Sequence, residues 1–298
     1  MSGWVSAHLY FNGDIYQSEC DALIRDVIAP SLKNLGISLS PSDCPKAFFV
    51  RYVDPGSHVR LRLSAPALRP LELMRAVAHT TAISTSQVRL RWREYEPELS
   101  RYGGQDAMCI AEEAFVHSTA FAFACLVDER MTARTWRLGR SVISTVALLH
   151  AFFRDAKLSA EICMGWGEPE AMTNNSGPFS VRRTSEPVVP DALIKTVQDL
   201  WFALSTRTVE HAATAAFHAA MTSTADALRA SYERGQLFPR SGEPIPWYAC
   251  LAALAGSHRH MTNNRLGVTV REEVRLASRI GTALAGLAQV LRVEHEHA

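Results

Sequence analysis

Apolar and polar residues alternate along several stretches of the first hundred positions, and this alternation predicts β-strands. The predicted strands are Trp4 to Phe11, Phe48 to Val53, His58 to Leu63 and Gln87 to Glu94. The segment Asp54-Pro55-Gly56-Ser57 joins the second and third strands and is typical of a hairpin turn. Between the first two strands, Ile15 to Leu35 has helical spacing, with Gly36 as a C-cap and Pro30 as a point of interruption or kinking.

After Tyr95 the apolar residues follow a helical period. The predicted helices are Asp106 to Val127, with Asp106 or a neighbour as N-cap, Met131 to Ala156, Ala192 to Arg234, Trp247 to His258 and Arg271 to Val293. Gly165 to Pro190 is rich in Gly, Pro, Ser and Asn, which indicates a long loop or lid. The pattern predicts an α+β fold, with a strand-rich N-terminal third that forms a mostly antiparallel sheet and a helix-rich C-terminal two thirds.

Composition narrows the class of protein. The 298 residues are 47% hydrophobic and 20% charged, with a formal net charge of +1, which is ordinary for a globular protein. A balanced charge gives no overall attraction for nucleic acid or membranes, and we find no signal peptide and no apolar run of membrane-spanning length. The six cysteines are scattered, without a CxxC pair. We therefore expect a cytoplasmic protein with reduced cysteines, no direct nucleic-acid binding and no membrane contact.

Strand alternation sorts the arginines onto one face of the predicted sheet. In the third strand Val59, Leu61 and Leu63 share a face, whereas His58, Arg60 and Arg62 share the other. The fourth strand repeats this pattern with Arg89, Arg91 and Arg93, so the two strands together could present a face crowded with guanidinium groups. Guanidinium forks bind carboxylates or phosphates through paired hydrogen bonds. A solvated sheet face, balanced by acidic residues, explains the spacing equally simply.

Two further segments carry polar chemistry. The first is the turn from Tyr95 to Gly104, where Arg101 and Tyr102 follow the acidic residues Glu96 and Glu98. Either glutamate could orient an arginine through a charge-assisted hydrogen bond. The alternative is a capped turn that is fixed by tyrosine packing.

The segment from His258 to Gly267 is the second of these. His260 follows an apolar helix and precedes Asn264 and Arg265, a setting that suits proton transfer near neutral pH. We set a metal site aside, because His258 and His260 lack a nearby third ligand and their rings would splay on a helix. The alternative is a structural histidine.

Taken together, these segments resemble the C-terminal, SpaB-type domain of lantibiotic dehydratases, also called the thiopeptide-type bacteriocin biosynthesis domain. The resemblance covers nearly the whole chain as one domain, residues 1–298. The matching segments are Trp4 to Tyr10, Phe48 to Tyr52, His58 to Arg62, Tyr95 to Glu98 with Arg101 to Gly104, and His260-Met261 with Asn264 to Gly267.

The resemblance implies an elimination reaction. In this family one domain transfers glutamate from glutamyl-tRNA to Ser or Thr of a precursor peptide, and the second domain, which this chain resembles, removes the glutamate. The product is dehydroalanine or dehydrobutyrine. In thiopeptide pathways the two domains are separate proteins, so the resemblance implies a stand-alone elimination protein. Its partners would be a precursor peptide with its leader and a separate tRNA-dependent glutamylating protein.

The resemblance also implies roles for individual residues. Arg60 and Arg62 match the glutamate-binding pair, Arg101 the third arginine and His260 the acid/base histidine. The expected catalytic residues are therefore His260, Arg101, Arg62 and Arg60. The expected substrate-binding residues are Arg60, Arg62, His58, Tyr102, Asn264 and Arg265. No metal or other cofactor is expected.

Two alternatives stay open. Pyridine synthases of thiopeptide biosynthesis share this fold and join two dehydroalanines in a formal [4+2] cycloaddition that expels the leader peptide. The other alternative is a non-catalytic protein that binds the peptide and assists a glutamylating enzyme. In each case the apolar helices offer surfaces for a homodimer.

Overall fold

The computed structural model describes residues 3–37, 46–64, 70–83, 88–166, 189–237 and 246–296. Its strands are β1 (Trp4–Phe11), β2 (Ala47–Tyr52), β3 (His58–Ser64) and β4 (Val88–Arg93). Its helices are α1 (Ser18–Ala22), α2 (Ala29–Asn34), α3 (Pro70–Ile83), α4 (Leu99–Tyr102), α5 (Gln105–Leu126), α6 (Arg134–Phe153), α7 (Ala156–Gly165), α8 (Asp191–Thr206), α9 (Ala212–Glu233), α10 (Trp247–Leu266) and α11 (Val270–Glu296). The predicted α+β class, with strands first and helices afterwards, is confirmed.

The four strands form one sheet in the order β2-β3-β1-β4, and every neighbouring pair is antiparallel. With α1, α2 and α3 between the strands, the first third of the chain has the ferredoxin-like βαββαβ order. The predicted helix from Ile15 to Leu35 begins at Ser18 and contains a π-helical turn, Leu23–Ile28, directly before α2. Pro30 lies in the first turn of α2, where its missing N–H removes one α-helical bond and favours this irregularity.

The register places both predicted arginine rows on the same face of the sheet. On β1, Ser6 lies opposite Arg62 of β3 and Arg93 of β4. The next rows across the sheet contain His8 with Arg60 and Arg91, and then Tyr10 with His58 and Arg89. The other face carries the buried residues Ala7, Leu9, Phe49, Val59, Leu61 and Leu63. One face of the sheet therefore contributes most of the buried apolar residues, and the other carries the arginines of β3 and β4.

The helical part differs from the prediction in several places. The predicted helix from Met131 to Ala156 is a 3-10 turn, Glu129–Thr132, followed by α6, and α7 was not predicted. The predicted helix from Ala192 to Arg234 breaks between α8 and α9, where Arg207 adopts a left-handed conformation (φ 58°). Most of the predicted loop from Gly165 to Pro190 lies outside the described residues.

The predicted helix from Trp247 to His258 continues to Leu266, where Gly267 ends it in the left-handed conformation (φ 73°). His260 therefore lies within α10 and not after it. A Cβ on Gly267 would lie 2.6 Å from Arg137 Nη1 and 2.9 Å from Arg51 Nη1, so the position excludes any side chain. The extension matters for function because it fixes every polar residue of this segment on a rigid helix.

Side chains from two helices satisfy the outer edge of β2. The Thr119 hydroxyl on α5 accepts a hydrogen bond from Phe49 N (3.4 Å). The Asn264 amide on α10 accepts from Arg51 N (2.9 Å) and donates to Arg51 O (3.0 Å). These contacts replace the missing neighbouring strand and hold the sheet against the helical part.

Helix α5 is long and apolar enough to cross a membrane by length and composition, in contrast to the expectation from the sequence. Most of its side chains are buried against β2, α9 and α10, which is typical of a core helix in a soluble protein.

Candidate functional site

The arginines of β3 lie where the sheet meets α4 and α10. The Arg60 guanidinium stacks on the Tyr52 ring, 3.3 Å from its centroid, and its Nε donates to His58 Nε2 (3.1 Å). The other ring nitrogen of His58 lies 2.7 Å from Gly56 O, so the neutral tautomer with Nδ1–H satisfies both contacts. Burial, together with the charges of Arg60 and Arg62, lowers the pKa of His58. The buried His58 ring therefore orients the Arg60 guanidinium by accepting this hydrogen bond.

Arg62 is a buried cation that forms no salt bridge with the described residues. It is 8% exposed, and its Nε and Nη1 have no hydrogen-bond partner in the described part of the chain. The guanidinium carbon lies 5.5 Å from the Tyr95 ring centroid. Burial and the adjacent Arg60 charge lower the pKa of Arg62 to about 10, so it stays charged at neutral pH. A buried charge with two unused donors is costly, and an anion between these arginines would satisfy it.

Arg101 reaches toward α10 from the turn that follows β4. Its Nη1 donates to Glu98 (3.1 Å) and its Nε to the Ser257 hydroxyl (3.4 Å). Burial alone would lower the pKa of Arg101, but Tyr102 and the carboxylates of Glu98 and Glu273 raise it. Gly103 ends the turn with φ 88°, a conformation that suits glycine. The predicted pairing of an acidic residue with Arg101 is present, and Glu98 provides it.

His260 has a carboxylate partner that the sequence did not indicate. Glu273 lies in the first turn of α11, is buried, and places its carboxylate oxygens 3.0 and 3.2 Å from His260 Nδ1. A carboxylate that accepts from Nδ1–H leaves Nε2 as the basic nitrogen of the ring. The His260 side chain is 35% exposed, so a substrate can reach it. Glu273 also lies close to Arg259, whose guanidinium packs over Trp166 at 4.7 Å.

The other expected binding residues are engaged in the interior. Tyr102 is buried against Phe115 and His258. Arg265 is fully buried, donates to the Thr119 hydroxyl (3.1 Å) and to Met261 O (2.9 Å), and burial lowers its pKa to about 9. The Asn264 amide is occupied by the backbone of β2, as described above. The structure thus gives these three residues packing and hydrogen-bonding roles, and direct substrate contact by them stays a prediction.

Contacts and electrostatic influence link the catalytic candidates into one region. The charge of Glu98 acts on both Arg62 and Arg101, and Arg101 contacts Ser257, one helical turn before His260. The charge of Glu273, the partner of His260, also raises the pKa of Arg101. The region combines three guanidinium groups with an imidazole that contacts a carboxylate, and such a combination could bind an anion and transfer a proton beside it. Within the described residues no group of three or more His, Cys, Asp or Glu could hold a metal ion.

Sequence reasoning missed Ser257 and Glu273. Acidic residues are common in the first turn of any helix, so Glu272-Glu273 carries no signal that separates a histidine partner from a helix-dipole preference. Ser257 adjoins His258 in the sequence, but its hydrogen bond with Arg101 exists only because the segment from Tyr95 to Gly104 packs on α10. Both residues depend on contacts between distant parts of the chain.

The fold and the geometry of this region are now described, and comparison with known proteins gives the family. The family model for the C-terminal part of lantibiotic biosynthesis dehydratases matches residues 4–284. The chain belongs to this family.

Among individual proteins, the nisin biosynthesis protein NisB of Lactococcus lactis subsp. lactis is 27% identical over 114 residues, which cover 36% of this chain and 11% of NisB. The tRNA-dependent lantibiotic dehydratase MibB from Microbispora sp. 107891 matches with a TM-score of 0.61 and 21% identity, over 97% of this chain and 28% of MibB. The chain thus spans a small part of these two relatives.

Two solved structures match over most of their own length. TsrL gives a TM-score of 0.63 at 16% identity, over 94% of each chain. The pyridine synthase TbtD from thiomuracin biosynthesis gives 0.60 at 15% identity, over 96% of this chain and 99% of TbtD. At these identities the likeness concerns the fold alone.

Proposed function

We propose that this protein eliminates glutamate from glutamylated Ser or Thr residues of a ribosomal precursor peptide, which gives dehydroalanine or dehydrobutyrine. The observation that carries the proposal is Arg62, a buried and charged guanidinium whose Nε and Nη1 have no partner. Such a group is retained at a cost in stability, and an anionic substrate explains it. The free carboxylate of a glutamyl ester has the charge and the planar geometry that a guanidinium fork binds.

The chemistry follows from the leaving group. A Ser or Thr hydroxyl leaves poorly, whereas the glutamyl ester leaves as a carboxylate. A base takes the Cα proton, the Cα–Cβ double bond forms, and the Cβ–O bond breaks with its electron pair on the departing glutamate. In this proposal His260, oriented by Glu273, shuttles the proton. Arg60, Arg62 and Arg101 bind the glutamyl group and stabilise the negative charge that develops in a buried site.

The alternative candidate is a cycloaddition of two dehydroalanines with release of the leader peptide. The likeness to the pyridine synthase TbtD, which extends over 99% of the length of TbtD, favours it. The paired guanidiniums of Arg60 and Arg62 argue for elimination, since a dehydrated peptide offers them no carboxylate at the reacting residue. In the elimination proposal a separate tRNA-dependent glutamylating protein supplies the ester.

The test compares two substrates by mass spectrometry. We expect the protein to release free glutamate from a glutamylated linear peptide, with one dehydrated residue for each ester lost. Arg62→Ala and His260→Ala should reduce this rate at least about a hundredfold. Arg271→Ala, on an exposed position of α11, is the matched control and should keep the wild-type rate.

Three results would contradict the proposal. Wild-type rates in both Arg62→Ala and His260→Ala would remove the assigned residues from the chemistry. Ring formation and leader release from a dehydrated peptide, without glutamate release, would establish cycloaddition. Peptide binding without turnover of either substrate, in the presence of a glutamylating partner, would establish a non-catalytic role.

A further inference from the structure

The outer edge of β4 carries a row of arginines that the proposed reaction does not use. Arg89, Arg91 and Arg93 are exposed, whereas the alternate residues of the strand are partly buried. Within the described part of the chain none of the three arginines forms an ion pair. Like charges at every second position repel one another, so this row is complementary to a partner with the same spacing of negative charges.

The backbone of β4 is also available for pairing. Among the described strands, β4 ends the sheet and pairs with β1 alone. In an antiparallel sheet the edge strand directs alternate N–H and C=O groups away from its neighbour, which makes it a template for an added strand. An added strand places its own side chains alternately on the two faces of the sheet.

The row is continuous with the candidate site. Ser6 lies opposite both Arg62 and Arg93, so these arginines occupy one line across the sheet, separated by β1. His8 of β1 lies between the arginines of β3 and those of β4 and is nearly buried. Burial and the charges of Arg60, Arg62 and Arg93 lower the pKa of His8 to about 3. In the described sheet this face carries no acidic side chain. The positive potential therefore extends from the site to the edge.

We propose that an extended acidic segment of the precursor peptide adds to the edge of β4 as a fifth strand, with carboxylates at every second residue facing Arg89, Arg91 and Arg93. This inference rests on the proposed function, because it takes the substrate to be a peptide. Strands lie about 4.8 Å apart, so an added strand would run roughly 15 Å from β3 and Arg62. An extended chain spans about 3.3 Å per residue, which puts the reacting residue about five residues beyond the bound segment, on the Arg93 side.

Fluorescence anisotropy with a labelled peptide of alternating Glu and Thr tests this surface. We expect the intact protein to bind it, and the triple variant R89E/R91E/R93E to bind it at least about tenfold more weakly. The triple variant R271E/R275E/R279E changes the charge equally on exposed positions of α11 and should bind as the wild type does. A peptide N-methylated at alternate residues keeps its charges but cannot pair as a strand, so it should lose binding.

Several results would overturn the inference. If the N-methylated peptide, or an isomer with its glutamates in one block, binds equally well, the three arginines attract acidic peptides only through nonspecific charge. If the peptide does not bind the wild type, the arginines instead serve to prevent other strands from pairing with this edge. Displacement of the peptide by a more tightly bound single-stranded RNA would assign the face to nucleic acid.

Turnover separates this inference from the proposed function. On a long glutamylated peptide with the acidic segment, R89E/R91E/R93E should raise KM about tenfold and leave kcat unchanged. On a short glutamylated peptide without that segment it should behave as the wild type. Unchanged KM on both substrates would refute the docking surface and spare elimination, whereas strand-dependent binding without any glutamate release would refute elimination alone.

Discussion

Arg51 and Arg62 lie on neighbouring strands but on opposite faces of the sheet, and their surroundings differ. The Arg51 guanidinium donates to Asp21 (2.8 Å), to Ile15 O (2.8 Å) and to Arg265 O (2.9 Å). Arg62 is also buried, yet two of its nitrogens have no partner. Strand alternation predicted the face on which Arg62 lies. Its burial could not be predicted, because it depends on residues such as Tyr95 that come from elsewhere in the chain.

This contrast predicts opposite effects of the same substitution. Arg62→Met removes an unpaired buried charge, so we expect the free energy of unfolding to rise by about 1 kcal/mol while glutamate release is lost. Arg51→Met removes one of the two arginines that pair with Asp21 and the donor to two backbone carbonyls, and should lower the free energy of unfolding by about 3 kcal/mol. Urea denaturation of both variants checks the pair. A large loss of stability in Arg62→Met would show that its guanidinium is structural.

At the scale of elements, the edge of β2 depends on α5 and α10. The hydrophobic pattern predicted the strand well, but an edge strand and a central strand have the same alternation. The residues that complete this edge, Thr119 and Asn264, are distant in sequence. Asn264 was expected to bind substrate from the family resemblance. Its amide is instead committed to the backbone of Arg51.

Asn264→Ala should therefore affect stability before chemistry. The variant loses both hydrogen bonds to the Arg51 backbone, so we expect a loss of about 1–3 kcal/mol in the free energy of unfolding. Below the unfolding transition, KM for a glutamylated peptide should stay at the wild-type value. Asn34→Ala, at an exposed position of α2, is the control and should change stability by less than about 0.5 kcal/mol. A tenfold rise in KM without loss of stability would restore the substrate-binding role.

At the scale of the whole molecule, Asp21 joins the βαββαβ part to the helical part. It lies on α1 and accepts from Arg51 of β2 and from Arg137 of α6. Arg137 in turn donates to Leu266 O at the end of α10 (2.6 Å). Burial would raise the pKa of Asp21, but the hydrogen bond and charge of Arg137, together with the charge of Arg51, outweigh it and lower the pKa. One carboxylate thus connects the sheet to the helices that carry His260.

Acid denaturation tests this connection. A carboxyl whose pKa is lowered by folding stabilises the native state above its unfolded pKa of about 3.9, and this stability is lost as the pH falls further. We expect the wild type to lose stability steeply below about pH 4. Asp21→Asn should cost about 3–5 kcal/mol at pH 7 and flatten that acid limb. Asp199→Asn, an exposed pair with Lys195, should change neither. An unchanged acid limb in Asp21→Asn would show that other groups control it.

The sequence by itself determined the strands, the hairpin, the separation of arginines from core residues and the family resemblance. These features depend on local periodicity and on short segments, which are readable without knowledge of the neighbours. Tertiary structure alone decided that Arg62 is buried with two nitrogens that no described residue pairs, that Glu273 contacts His260, that Asn264 supports β2, and that the β4 arginines continue the face of the candidate site. Each of these depends on contacts between residues far apart in the chain, because burial and pairing are properties of the packed molecule.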